Sequence, residues 1–130
     1  MPVQDDSKEY AIEVSVRPVY IEEQSDPAEN RFVFAYFIKI QNTGTIAAKL
    51  ISRHWIITDA NMKVEEVKGL GVVGEQPHLE PGQVFEYNSG CMLETDVGTM
   101  EGSYQMVAAD GHTFDARIPM FTLSIPRTLH

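Results

Sequence analysis

A single cysteine, Cys91, stands among 130 residues, which excludes an internal disulfide and fits a reducing compartment. No apolar run approaches the roughly 20 residues that a membrane-spanning helix needs, so no membrane association is expected. Basic residues are also scarce, ten Lys and Arg against nineteen Asp and Glu, for a formal net charge of −9. No basic stripe is present to neutralise phosphates, so nucleic acid is not an expected partner. The start, Met1-Pro2-Val3-Gln4-Asp5-Asp6, lacks the basic and apolar regions of a signal peptide. With the lone thiol, this points to a cytoplasmic protein. Finally, no window carries convincing helical periodicity.

What the chain does have is a glycine-rich segment, Gly69-Leu70-Gly71-Val72-Val73-Gly74, which spells a dinucleotide fingerprint. Such a loop holds pyrophosphate because a helix starts within it and aims free N–H groups at the anion. The continuation, Glu75-Gln76-Pro77-His78-Leu79-Glu80-Pro81-Gly82, puts proline inside that helix, at a cost of roughly 3 kcal/mol. A phosphate loop is excluded as well, because Glu75 and Gln76 stand where Lys and Ser or Thr are needed. A Rossmann fold and an NTPase are both rejected.

Period-2 alternation dominates instead. Residues 10–17 place Tyr10, Ile12, Val14 and Val16 on one face, and Pro18 assigns this strand to a sheet edge. Residues 22–30 read as a loop. Residues 32–40 are apolar on both faces, which predicts a central, well-covered strand. Further strands are expected at 48–58, 63–67, 83–87, 104–109 and 113–123, with turns at 42–45 and 59–62 and an Asp110-Gly111 hairpin. This is an all-β, immunoglobulin-like β-sandwich of about seven antiparallel strands. Trp55 takes the place of the tryptophan buried between immunoglobulin sheets. Tyr104 is expected as a tyrosine corner, two residues before Met106, which stands where antibody domains carry cysteine. The organisation expected is a flexible segment 1–9, one domain at 10–126 and a tail at 127–130.

The block Val67-Lys68-Gly69-Leu70-Gly71-Val72-Val73-Gly74-Glu75-Gln76-Pro77 resembles the ApaG family. So do Leu79-x-Pro81-Gly82-x-x-Phe85-x-Tyr87-x-Ser89-Gly90, Met100-x-Gly102-x-Tyr104-x-Met106 and Ile118-Pro119-x-Phe121-x-Leu123. The likeness spans residues 5–126. It implies a fibronectin type III-like β-sandwich without an established enzymatic activity. It also implies an association with cobalt and magnesium homeostasis, and gene neighbours for diadenosine tetraphosphate hydrolysis. Similar domains in F-box proteins and in a DNA-polymerase-interacting protein resemble interaction modules. Met62 and Asp96 depart from the family, standing where glycine and proline are common.

Three readings of the glycine segment stay open. Val72-Val73 forms a short bridging or edge strand, with glycines allowing close approach or positive φ; or the apolar residues form a partner-docking patch; or backbone N–H groups form an anion nest. The family's metal association draws attention to His54, His78, His112 and His130, but no H-x-H, H-x₃-H or C-x₂-C pair exists. The acidic pairs Asp5-Asp6, Glu22-Glu23 and Glu65-Glu66 read as solvated charge. Cys91 has no basic neighbour in sequence to activate it, and Ser89-Gly90 lacks the surroundings of a nucleophile elbow.

The expectation is therefore a non-enzymatic binding module with no cofactor and a protein partner. Its candidate contact residues are Gly69, Leu70, Gly71, Val72, Val73, Gly74, Glu75, Gln76 and Pro77, with residues 87–93 contributing second. Val72→Glu is expected to weaken partner capture while the domain stays folded. Sheet-edge pairing or the apolar loop would also support a homodimer. The alternative is a small-ligand sensor that binds a phosphorylated nucleotide or a divalent cation through the glycine loop.

Overall fold

The computed structural model describes residues 9–126. Eight strands follow one another: β1 (Ile12–Tyr20), β2 (Phe32–Asn42), β3 (Ala48–Asp59), β4 (Val64–Leu70), β5 (His78–Leu79), β6 (Val84–Leu93), β7 (Val97–Ala108) and β8 (Thr113–Ser124). They form two antiparallel sheets, one ordered β1-β2-β6 and the other β4-β3-β7-β8, with β5 also paired to β3. The expected β-sandwich is the observed fold.

Alternation explains the core. Phe32, Phe34, Tyr36, Ile38 and Ile40 of β2 all point inward and are buried. Opposite them lie Leu50, Trp55 and Ile57 of β3, Met100, Tyr104 and Met106 of β7, and Ile118 and Leu123 of β8. Trp55 meets Tyr36, Tyr104 and Phe121 at ring-centroid distances of 5.4, 6.4 and 6.0 Å. These offset and edge-on contacts are the favourable aromatic geometries.

The central position of β2 agrees with the sequence, but its outer face is not well covered. Phe37 is exposed there, and the Arg17 guanidinium lies 4.4 Å above its ring. Pro18 does sit on an edge strand, in register with Tyr36. Two short 3-10 turns, Glu22–Gln24 and Pro27–Glu29, occupy the expected loop.

Several strands outrun their sequence limits because glycine inside a strand is not a stop. β6 continues through Gly90, and β7 begins at Val97 and passes Gly98 and Gly102. A Cβ on Gly102 would lie 2.0 Å from the His54 carbonyl oxygen, so the close approach of β3 and β7 there requires glycine. The two-residue β5 carries too little pattern to be seen. Tyr104 is not a tyrosine corner: it lies within β7, and its hydroxyl hydrogen-bonds the Tyr87 hydroxyl across the sandwich.

Candidate functional site

Gly69 and Leu70 are the last two residues of β4, so the strand runs directly into the glycine segment. The ladder extends one step further, where the Gly71 N–H donates to the Ile51 carbonyl at 2.8 Å. Ile51 is the extra residue of a β-bulge, because Leu50 opposes Met106 while Ser52 opposes Gln105. Its carbonyl also accepts from Gln76 Nε2 at 2.9 Å. One irregular residue in β3 thus anchors both ends of the segment.

Gly71 has φ 62°, and a Cβ there would lie 2.3 Å from the Glu75 carbonyl oxygen. Val72 and Glu75 then exchange both backbone hydrogen bonds, at 2.8 and 2.9 Å, around Val73 and Gly74. Both central residues have positive φ, 43° and 81°. That pattern is a type I′ turn, which favours Asn-Gly. A β-branched residue at the first position is strained, by about 1–2 kcal/mol. The short bridge and the positive-φ glycines read from the sequence are both present.

Burial divides the segment sharply. Val72 is fully buried in the core, while Leu70 is 75% and Val73 59% exposed. The expectation for Val72→Glu is therefore overturned, because a carboxylate at this position would enter the core and not a contact surface. Glu75 and Gln76 are exposed, and the Pro77 carbonyl accepts the Leu50 N–H at 2.9 Å. The N–H groups of Gly71, Val72 and Glu75 are all used internally, leaving few for an anion.

Arg53 supports the segment from beneath. Its Nη1 donates to the Leu70 and Gly71 carbonyls at 3.0 and 2.9 Å. On the outer face, a hollow of about 480 Å³ is lined by Ser52, Arg53, His54, Lys68, Leu70 and Gln105. Lys68 brings a cation and Ser52 a hydroxyl to it on a strongly acidic chain. Lys68 directly precedes Gly69 in the chain, but nothing in the sequence pattern joined Arg53 to the glycines; only the register that sets β3 beside β4 brings it to them.

The remaining candidates do not assemble. His54 Nε2 lies 3.1 Å from Glu66, His78 Nε2 lies 3.2 Å from Glu80, and His112 stacks on Tyr10 at 4.1 Å. His130 and the Asp5-Asp6 pair lie outside the described residues. Among the described residues no group of three or more His, Cys, Asp or Glu is placed to hold a metal ion. Burial pushes the Cys91 thiol up to about 11, helped by the nearby Glu65 carboxylate, so thiolate is scarce at neutral pH. Burial likewise raises Tyr87 to about 12 and Tyr104 further still. In the second expected region, Tyr87 is turned into this hydroxyl pair while Met92 is exposed.

The sequence profile of the ApaG domain matches residues 22–108. The chain belongs to the ApaG family. It is 65% identical over 125 residues to Protein ApaG of Thiobacillus denitrificans, covering 96% of this chain and 98% of that one. Against Protein ApaG of Aromatoleum aromaticum the identity is 62%, with the same coverage. The crystal structure of the ApaA protein from Bordetella pertussis superposes with a TM-score of 0.91 at 55% identity, covering 93% of this chain and 98% of that one. A protein from Archaeoglobus fulgidus shares the fold alone, at 9% identity and a TM-score of 0.54. The glycine segment thus sits in an ApaG sandwich as the connection between β4 and β5, with an exposed apolar turn at its tip.

Proposed function

We propose that this ApaG-family domain is a protein-binding module with no catalytic activity of its own, which docks a partner through the apolar tip formed by Leu70 and Val73. The observation that carries the reading is the strained, exposed Val73. A valine held at φ 43° on the surface costs stability, and the fold keeps it in place with buried Val72, the Ile51 bulge and Arg53. Strain retained at an exposed apolar turn is the mark of a surface kept for contact. The family's association with cobalt and magnesium homeostasis would then act through the partner.

The test compares capture of partners from a lysate by the wild-type domain, Val73→Asn and the distant surface variant Met120→Lys. A protein retained by wild type and Met120→Lys but lost with Val73→Asn supports docking at the tip. Equal capture by all three baits refutes it.

A second reading, a sensor of phosphorylated nucleotide, is favoured by the hollow beside the segment, whose lining includes His54 and Lys68. Amide shift changes confined to residues 68–77 on adding magnesium nucleotide would support it. Unchanged spectra at about 1 mM ligand would eliminate useful affinity.

A further inference from the structure

Among the described residues β4 is an edge strand, since it pairs with β3 on one side and with no strand on the other. In an antiparallel ladder, residues alternate between bonding inward and pointing their backbone groups at the free edge. The flanking bonds settle which are which. Gly71 N–H donates to Ile51 and Asp59 N–H donates to Lys63, both in line with the β3–β4 register. Odd-numbered residues of β4 therefore bond β3. Val64, Glu66, Lys68 and Leu70 turn their N–H and C=O groups outward, and Arg53 takes part of the capacity of the Leu70 carbonyl alone.

Charges on an edge strand normally prevent further pairing. Here their order favours one partner, a second copy of the same strand. About a two-fold axis at Val67, an antiparallel β4 from another chain sets Glu66 opposite Lys68 twice and Val64 opposite Leu70 twice. All four outward residues then fall in hydrogen-bonded pairs, and Val67 meets Val67 at the axis. The neighbouring registers are penalised. An axis at Glu66 puts Glu66 against Glu66, and an axis at Lys68 puts Lys68 against Lys68. Opposite charges directly across a ladder stabilise and like charges destabilise, so charge selects the register centred on Val67.

The exposed groups fit this use. Val64 is 57% and Leu70 75% exposed, and Lys68 has no ion-pair partner among the described residues. We infer that the chain forms a two-fold homodimer by antiparallel pairing of β4 with β4, joining the two larger sheets into one continuous sheet. The interface is isologous, as a closed dimer requires. It shares Leu70 with the proposed docking tip, but its charge determinants, Glu66 and Lys68, lie away from Val73.

Sedimentation equilibrium over rising concentration tests this, using wild type, Lys68→Glu, Glu66→Lys and an equimolar mixture of the two variants. Wild type is expected to move from 14.6 kDa towards twice that mass. Each variant alone faces two like-charge pairs and is expected to dimerise at least about tenfold more weakly. The mixture is expected to recover dimer, because every cross-strand pair is again opposite in sign. A wild-type monomer at about 1 mM overturns the proposal and leaves the edge to a strand of another protein. A dimer indifferent to Lys68→Glu, or a mixture that stays monomeric, overturns it equally. If either single variant fails to fold, the chain carrying both changes decides: dimer supports the pairing and monomer refutes it.

Discussion

Gly69 lies opposite Arg53 in the β3–β4 ladder, and a Cβ on Gly69 would come within 2.8 Å of the Arg53 guanidinium. The missing side chain is the seat of the cation that braces the glycine segment. Gly69→Ala is expected to expel the guanidinium and cost about 1–3 kcal/mol, the value of its two carbonyl contacts. In an Arg53→Ala background the same change should cost almost nothing. Urea unfolding of the four chains checks this; additive costs would show that the two residues act independently.

Val73→Asn should raise stability by about 1 kcal/mol, since asparagine tolerates the positive φ that strains valine. In a domain of this size that is a rise of about 4 °C in Tm. Val72→Glu should do the opposite and prevent folding, because it buries a carboxylate without a partner. Differential scanning calorimetry and circular dichroism distinguish the two neighbours. A stabilising or neutral Val72→Glu would contradict the placement of that side chain.

Asn42 is a buried polar residue whose hydrogen bonds are satisfied on every side. Its Nδ2 donates to the Ile46 and Leu79 carbonyls at 3.0 Å each, and its Oδ1 accepts the Gly44 N–H at 2.8 Å. Asn42→Ala strands three backbone groups around the short β5 and is expected to cost about 2–4 kcal/mol. Hydrogen exchange should show the loss of protection starting at residues 43–46 and 78–83. A loss spread evenly over both sheets would show that Asn42 has no local clamping role.

The raised Cys91 group predicts both reactivity and pH dependence. The thiol sits against Met100 Sδ at 3.8 Å, and burial favours its neutral form. A shift from 9.0 to about 11 lowers the thiolate fraction at pH 8 about a hundredfold, so iodoacetamide should label it that much more slowly than an unfolded control. The folded state holds this proton more tightly than the unfolded state. The stabilisation is therefore complete below pH 9 and is lost as pH rises through 11. Cys91→Ala should flatten that part of the stability profile, leaving the loss due to Tyr87, which runs from 10 to about 12. An unchanged slope would assign all the alkaline loss to the tyrosines.

The β-sandwich was legible because alternation follows directly from strand geometry. The inward row of β2 can be read off as every second residue, whereas those of β3 and β8 change phase at a bulge. Legibility failed where the period broke. Leu70, Val72 and Val73 look alike in sequence, yet the turn buries one and exposes two. Residues with positive φ do not alternate, so no periodicity could assign their faces. Gly90, Gly98 and Gly102 looked like breaks but lie inside strands, where each leaves room for a neighbouring backbone.

The sequence by itself determined the all-β class, the edge position of β1, the central place of β2 and membership of the ApaG family. Those properties rest on local geometry and on residue patterns that need no distant partner. Only the tertiary structure decided that Arg53 supports the glycine segment, that Tyr104 meets Tyr87 across the sandwich, and that β4 keeps a free edge. Each of these depends on which strands lie side by side and in what register. The bulge at Ile51 shifts the pairing of β3 with β7 without leaving any periodic trace in the chain.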